Sequence, residues 1–572
     1  MGVVGMATGL ASQRRARLAG GGGVKGVKRW MRRPEAGGRT LVSATAIAAG
    51  LLLAPWLATA ASAGVATAPY VVGVLGAVGS SAATSAVATV GGAVVESLPA
   101  ANAVLTDLDS AQVSALGLLS GVVVTPDVSV SVQQAPYTDP PHTPSAVFPE
   151  QTQAAALWAQ GDTGAGVNVA VLDTGIDPVP DLAGRLVGGV DLTGGGNPFD
   201  DQYGHGTFDA GLVAGDGASS NGQYMGEAPG AGLVAIKAAG ASGQTDLATV
   251  IAGVGWAIAN QQALNIRVLN MSLGYEPIES TALDPLDIAV ESAWNAGIVV
   301  VVSSGNAGPF NGTVLSPGDD PMVITVGALD DLAQTDVADD VMTTFSSVGP
   351  TNPDGWIKPD LVASGRSVVS LAAPGSTIYS EYPSARVGTG NFVGSGTSFS
   401  TAITSGAVAL LLADHPNYTP DQVKAALLAS TWSGPVGNPM VDGHGALDVG
   451  AAAAMAPLNL IQTSSSVAVA MGCTVSLSST WALSSWNPAN WSSMAWNGSA
   501  WNGSVWDGSA WDGSAWDGSA WNGSAWNGSA WDGSAWDGSA WDGSAWDGSS
   551  WDGSAWDGSA WDGSAWDGSA WD

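Results

Sequence analysis

The chain of 572 residues holds a single cysteine, Cys473, so no disulfide can brace it internally and its stability has to come from packing. Positive charge is nearly as scarce. Nine of the 16 Lys and Arg fall in residues 1–39, which leaves residues 40–572 with 7 basic against 48 acidic side chains, a formal charge of −41. A surface of that sign repels nucleic acid and anionic membrane, and nucleic-acid partners are excluded on that ground. Histidine is rare too, four in all, and 19 of the 26 tryptophans are confined to the stretch from Trp481 to Trp571. What remains is a chain that is 46% hydrophobic and long enough for more than one domain, so a sizeable core is easy to build.

The amino terminus places its basic residues ahead of an apolar run, 41–60, and Ala61-Ser62-Ala63 then offers small residues for cleavage. This predicts an export signal over residues 1–63, with Met31 as an alternative start, and a secreted or cell-surface location. Arg32-Arg33 is followed by Pro34-Glu35, which fits a twin-arginine signal poorly. The rival reading is an uncleaved anchor, since the run is nearly long enough to span a bilayer.

Three short motifs rich in small residues carry the chemistry: VAVLDTGID (169–177), YGHGT (203–207) and GSGTSFSTAITSG (394–406), centred on Asp173, His205 and Ser398. A serine hydroxyl is a weak nucleophile until an imidazole takes its proton, and that imidazole needs a carboxylate to fix its tautomer. Asp173 closes the apolar run VNVAVL (167–172), as at the carboxyl end of a buried parallel strand, where open α/β sheets bind ligands. Alone it reads equally well as a cap. His205 precedes the apolar stretch TFDAGLVAG (207–215), a helix start whose amino end disfavours the protonated ring and would keep His205 a neutral base. Ser398 opens another apolar segment, so its N–H is expected at a helix amino terminus, where it can help hold an oxyanion. Asn306, in VVVSSGNAG (300–308), follows an apolar run and is the candidate second oxyanion donor; otherwise it is a turn residue.

In this chain order the motifs resemble the subtilisin-like serine proteases, the subtilase family, over roughly residues 150–457. The resemblance implies an α/β catalytic domain over 147–457 with a doubly wound, mostly parallel sheet, and a serine endopeptidase acting on protein or peptide substrates through an acyl-enzyme. Asp173, His205 and Ser398 would be catalytic, and Asn306 with the Ser398 N–H would form the oxyanion hole. NMSLG (270–274) looks like the family's strand that receives an extended peptide. Ser272, Leu273 and Gly274 would line one wall of the primary pocket and Ser303, Ser304 and Gly305 the other. These small side chains leave room for a large apolar residue, and no acid among them selects Lys or Arg. No cofactor is required for such chemistry; structural calcium is compatible with the family, but the metal ligands are unknown. The chain also departs from the family pattern. Phe399 stands where many relatives have Met after the nucleophile, Ile403-Thr404 replaces a Pro-His pair, and Phe208 replaces a frequent His.

Residues 64–146 resemble the inhibitory propeptides of such proteases, with an apolar YVVGVL (70–75), a helical DSAQVSALGLL (109–119) and a strand GVVVTPD (121–127) turned at Pro126. Asp109 and Gln112 have capping-box spacing. A small α/β sandwich is expected, made as part of a zymogen, with an ordinary accessory domain as the alternative. The Pro-rich APYTDPPHTP (135–144) would be the linker in which processing occurs. Near the end of the catalytic domain, Thr419, Pro420 and Gln422 supply cap, first-turn proline and box partner for a helix.

Residues 458–572 form a low-complexity tail in which Trp-Asp-Gly-Ser-Ala or Trp-Asn-Gly-Ser-Ala repeats every five residues. That period matches neither an amphipathic helix nor a one-sided strand. Indoles beside Asp, Asn and Ser suit sugar rings, so a cell-envelope or polysaccharide ligand is one reading and a spacer the other. A second function follows from the first of these: a surface-binding protein whose tail is the working part and whose protease domain serves maturation.

Overall fold

A computed structural model describes residues 66–132, 143–458 and 462; the expected signal, most of the Pro-rich linker and the tryptophan repeat lie outside the described residues. Residues 68–126 fold as a four-stranded antiparallel sheet in the order β2-β3-β1-β4, from β1 (Ala68–Val74), β2 (Val94–Leu98), β3 (Ala103–Leu108) and β4 (Val122–Pro126). Two helices, Ser81–Thr89 and Ser110–Leu116, cover it, and Val72, Val104 and Leu108 meet Ala83, Val87 and Leu116 in a small core.

The second of these helices starts where the capping spacing predicts. Asp109 accepts from the Ala111 and Gln112 N–H groups, and Gln112 Oε1 accepts from the Asp109 N–H, so three otherwise orphaned donors are satisfied. The first helix and β2 were not foreseen. They come from an Ala- and Val-rich stretch without a clear period, and Leu98 is the one buried residue of β2. After β4 the chain continues into β5 (Ser129–Val132).

The next strands in chain order are β6 (Asn168–Asp173), β7 (Leu186–Asp191), β8 (Gly232–Lys237), β9 (Gln244–Asp246), β10 (Ile266–Met271), β11 (Leu273–Gly274), β12 (Val299–Ser303), β13 (Ile324–Asp330), β14 (Val341–Met342) and β15 (Leu361–Ser364). Three more, β16 (Val368–Leu371), β17 (Arg386–Val387) and β18 (Asn391–Gly394), form a small separate antiparallel sheet. The main sheet runs β14-β13-β12-β10-β6-β8-β7, with β15 also on β13, and every pairing but β13 with β14 is parallel. Its central strands are apolar runs buried along their whole length, as VVVVS in β12, because parallel sheets are covered on both faces.

From β6 the chain builds β7 and β8 on one side, then crosses to β10 on the other. The strand order therefore reverses between β6 and β10, and the crevice at their carboxyl ends is where such sheets bind ligands. Asp173 ends β6, and Ser272 follows β10 directly. Two buried helices, His205–Ala214 and Thr397–Asp414, pack on each other and on this part of the sheet. Gly206 permits the approach: a Cβ there would run into the Gly175 carbonyl and the Asp173 side chain.

Candidate active site

The Asp173 carboxylate meets His205 Nδ1 at 3.0 Å through Oδ1 and 2.9 Å through Oδ2, and both residues are buried. A ring nitrogen facing a carboxylate carries the proton, so the neutral ring presents its lone pair on Nε2. Nε2 is buried and makes no hydrogen bond.

Asp201 fixes the two residues against each other. Its Oδ1 accepts from Thr174 Oγ1 and the Gly204 N–H, each at 2.7 Å, while Oδ2 accepts from the Thr207 N–H at 2.8 Å and Thr207 Oγ1 at 2.7 Å. The turn after β6 is thus tied to the first turn of the His205 helix. Sequence reasoning passed over Asp201, although a carboxylate just ahead of a helix start is a capping signal.

Burial by itself would depress the His205 pKa, but the charges of Asp173 and Asp209, the bond to Asp173 and the charge of Asp201 raise it to about 9. This reverses the expectation drawn from the helix amino end. A terminus carries about half an elementary charge, and full carboxylate charges at closer range outweigh it.

Ser398 is the second residue of the helix Thr397–Asp414, in its first turn as expected. Its hydroxyl donates to the Ser272 carbonyl at 3.3 Å, and Ser272 Oγ donates back to the Ser398 carbonyl at 3.2 Å. The hydroxyl is therefore turned to Ser272, not to His205; resting enzymes often hold such bonds open until substrate arrives. Phe399, next in the chain, has its ring 5.6 Å from that of His205 and 4.3 Å from that of Phe208. Two of the departures from the family pattern are thus one packing pair beside the imidazole.

Asn306 lies three residues beyond β12, and its Oδ1 accepts from the Thr397 N–H at 3.0 Å and Thr397 Oγ1 at 3.1 Å. A backbone N–H can only donate, so the amide oxygen must face Thr397 and Nδ2 must face away. That Nδ2 is buried and unpartnered, a donor with nothing yet to hold. Ser303, Ser304 and Gly305 are buried at the end of β12, with both serine hydroxyl oxygens unpartnered. Gly305 has φ of 105°, and a Cβ there would come within 2.8 Å of Leu315.

Ser272, Leu273 and Gly274 are buried beside Ser398, and β11 is already paired. β5 lies between β11 and β9, antiparallel to both, with Leu273 opposite Val132, Gly274 opposite Ser131 and Val130 opposite Thr245. The strand that sequence reasoning assigned to substrate binding thus holds an extended segment of its own chain. Nearby, Asp127 Oδ1 accepts from the Ala248 N–H at the start of the helix Leu247–Asn260, at 2.9 Å. Thr125 Oγ1 donates to Glu279 at 2.5 Å. Among the described residues, one trio of His, Asp or Glu brings ligand-type atoms within 4.8 Å of one another, namely Asp173, His205 and Asp209. Its chemistry is that of hydrogen bonding and proton transfer, and we assign it no metal.

Residues 164–445 match the Subtilase family model. Serine protease AprX of Bacillus subtilis (strain 168) is 46% identical over 292 residues, which are 50% of this chain and 66% of AprX. Subtilisin NAT of Bacillus subtilis subsp. natto is 37% identical over 307 residues, 53% of this chain and 70% of that protein. The chain belongs to the subtilase family. This subtilase is a serine-type endopeptidase by that membership, with a mostly parallel α/β sheet and a chemistry that needs no cofactor. The crystal structure of fervidolysin from Fervidobacterium pennivorans, a keratinolytic enzyme related to subtilisin, superposes with a TM-score of 0.54 at 23% identity. The superposition covers 69% of this chain and 62% of that one, and bears on the fold alone.

Proposed function

We propose that this subtilase cleaves peptide bonds with Asp173, His205 and Ser398 as its triad, is made as a zymogen and is secreted or held at the cell surface. The buried Asp173–His205 pair, set in the crevice beside the Ser398 helix, carries the reading. Rotation of the Ser398 hydroxyl from the Ser272 carbonyl toward His205 Nε2 would let the imidazole take its proton as Oγ attacks the scissile carbon. Asn306 Nδ2 and the Ser398 N–H would hold the oxyanion. Loss of the corresponding amide donor costs about 10²–10³ in turnover in subtilisin itself. His205 then returns the proton to the leaving amine, and water hydrolyses the acyl-enzyme by the same route.

Ser272, Leu273 and Gly274 would pair with the substrate backbone, and Ser303, Ser304 and Gly305 would border a pocket for a large apolar residue. The pairing of β5 with β11 supports reading residues 64–146 as an inhibitory propeptide and linker, since a segment so placed competes with substrate for one strand edge. In this reading 1–63 is the export signal, 147–457 the catalytic domain and 458–572 a tail for envelope or polysaccharide binding. Structural calcium, compatible with the family, has no assigned ligands.

Intact mass and amino-terminal sequencing of wild type and Ser398→Ala test the whole scheme. Ser398→Ala is expected to stay uncut between the propeptide and the catalytic domain, and to lose about 10⁶-fold in kcat, the loss known for subtilisin itself. Undiminished turnover by purified Ser398→Ala overturns the triad.

A further inference from the structure

The His205 helix carries one acid in an otherwise apolar stretch, and the family motif gave no reason to single it out. Asp209 lies one turn after His205, on the same face, and is fully buried. One of its oxygens lies within 4.8 Å of ligand-type atoms of both His205 and Asp173. Asp209 Oδ2 accepts from Asn270 Nδ2 at 3.2 Å, and Oδ1 has no partner. Asn270 in turn bonds Ser272 Oγ at 3.1 Å and Ser405 Oγ at 2.8 Å, so Asp209 is linked through β10 to the Ser398 helix.

A buried carboxylate with one oxygen left unpartnered is costly to keep ionised, and the cost falls when a cation forms beside it. The proposed reaction forms one there. We propose that Asp209 is a positioning residue that shares with Asp173 the charge of the His205 imidazolium created when Ser398 gives up its proton. This rests on the triad reading above.

The charges facing His205 are Asp173 at the end of β6, Asp209 on its own helix and Asp201 in the loop before it. Those facing Asp209 are His205 and Asp173; burial pushes its carboxyl up to about 7, His205 pulls it down and Asp173 pushes it up. Ionised Asp209 makes His205 hold its proton to higher pH, so the acid limb of the rate profile lies above where Asp173 and Asp201 would set it. Asp209→Asn keeps the size and an oxygen for Asn270 but removes the charge.

The test is the pH profile of kcat/KM for the full chain, processed as wild type, on a neutral chromogenic peptide. Asp209→Asn is expected to move the acid limb down by about one pH unit, as loss of a nearby charge does. It should also lower plateau kcat about tenfold at little change in KM, because the imidazolium is less well held and no peptide contact is lost. Asp209→Val serves if the amide variant folds poorly. A second readout needs no activity: the chain has four histidines, so ring-¹⁵N NMR can follow His205 in full-length Ser398→Ala. Addition of Asp209→Asn should make that ring titrate at lower pH. Reduced activity with neither the limb nor the titration moved would give Asp209 a packing role alone and overturn the proposal, whereas retained turnover in Ser398→Ala would overturn the triad beneath it.

Discussion

Asp360 and Asp319 are both shut off from water, but Asp360 lies 2.7 Å from Lys358 Nζ and 3.1 Å from Lys424 Nζ, whereas neither oxygen of Asp319 has any hydrogen-bond partner. Burial pushes the Asp360 carboxyl up, yet the two ammoniums and its hydrogen bonds hold it below the usual carboxylate range. Burial pushes Asp319 up as well, and the charges of Asp284 and Asp320 drive it further in the same direction, well above that range. Asp287 follows Asp319 for the same reasons. The same side chain at the same depth is thus biased toward its charged form in one place and toward its neutral form in the other, and the partner decides. Lys424 is itself pushed down by burial. Its surroundings nevertheless suit an ammonium, because the carbonyls of Pro321, Met322 and Val323 and Asp360 Oδ1 are all acceptors.

Replacing a carboxylate by its amide should therefore have opposite effects at the two sites. The largest effect is expected for Asp360→Asn, which leaves two buried ammoniums without an anion and should cost about 3–5 kcal/mol. Urea unfolding of the full chain in a Ser398→Ala background, free of self-digestion, measures it. A cost below about 1 kcal/mol would mean that the Lys358–Asp360–Lys424 group is not charged as its distances imply.

Asp319→Asn should do the reverse and stabilise the same chain by on the order of 2 kcal/mol at pH 8. The sign follows from linkage. A carboxyl whose folded pKa is raised binds its proton more tightly when native, so its contribution is fully present below the unfolded value near 4 and is lost as pH rises through the folded one. The amide does not titrate and escapes that loss. Its advantage should vanish near pH 3.5 and grow toward pH 8, and the parent chain itself should unfold at lower urea at pH 8 than at pH 5. An advantage independent of pH would show that Asp319 is ionised throughout, or that the gain is one of packing.

These pairings mark the limit of what could be read before the fold was known. The placement of the candidate site residues was legible where they sit inside a local motif: Asp173 at the end of an apolar run, His205 and Ser398 each opening a helix, Asn306 just beyond a strand. Caps were legible for the same reason, since Thr419 with Gln422 and Asp109 with Gln112 act within one turn. Lys358 is two positions from Asp360, but Lys424, its other partner, lies 64 residues on, and Phe399 meets Phe208 across nearly two hundred residues, so neither of these long-range contacts has a local signature. Asp209 read as a break in an apolar helix because its significance lies in what it faces. β5 was missed as a partner of the strand proposed to receive substrate because its pairing is set by residues more than a hundred positions away.

The smallest effect should come from a third carboxylate in a different setting, and it separates charge from hydrogen bonding. Asp109 stands at the start of the helix Ser110–Leu116, where its Oδ1 accepts from the N–H of Ala111 at 2.8 Å and of Gln112 at 2.9 Å, in a partly solvated position. Here the partners are backbone donors that need an acceptor and not an anion, and water screens most of what the helix end adds to a negative charge. Asp109→Asn keeps an oxygen for those donors, so it should change stability by less than about 0.5 kcal/mol. Asp109→Ala removes the acceptor and should cost about 1 kcal/mol. Hydrogen exchange at the Ala111 and Gln112 amides, compared across the two variants in full-length Ser398→Ala, reads the cap directly. If the amide variant loses as much protection as the alanine, the charge matters at the surface as it does between Lys358 and Lys424, and the distinction between the settings fails.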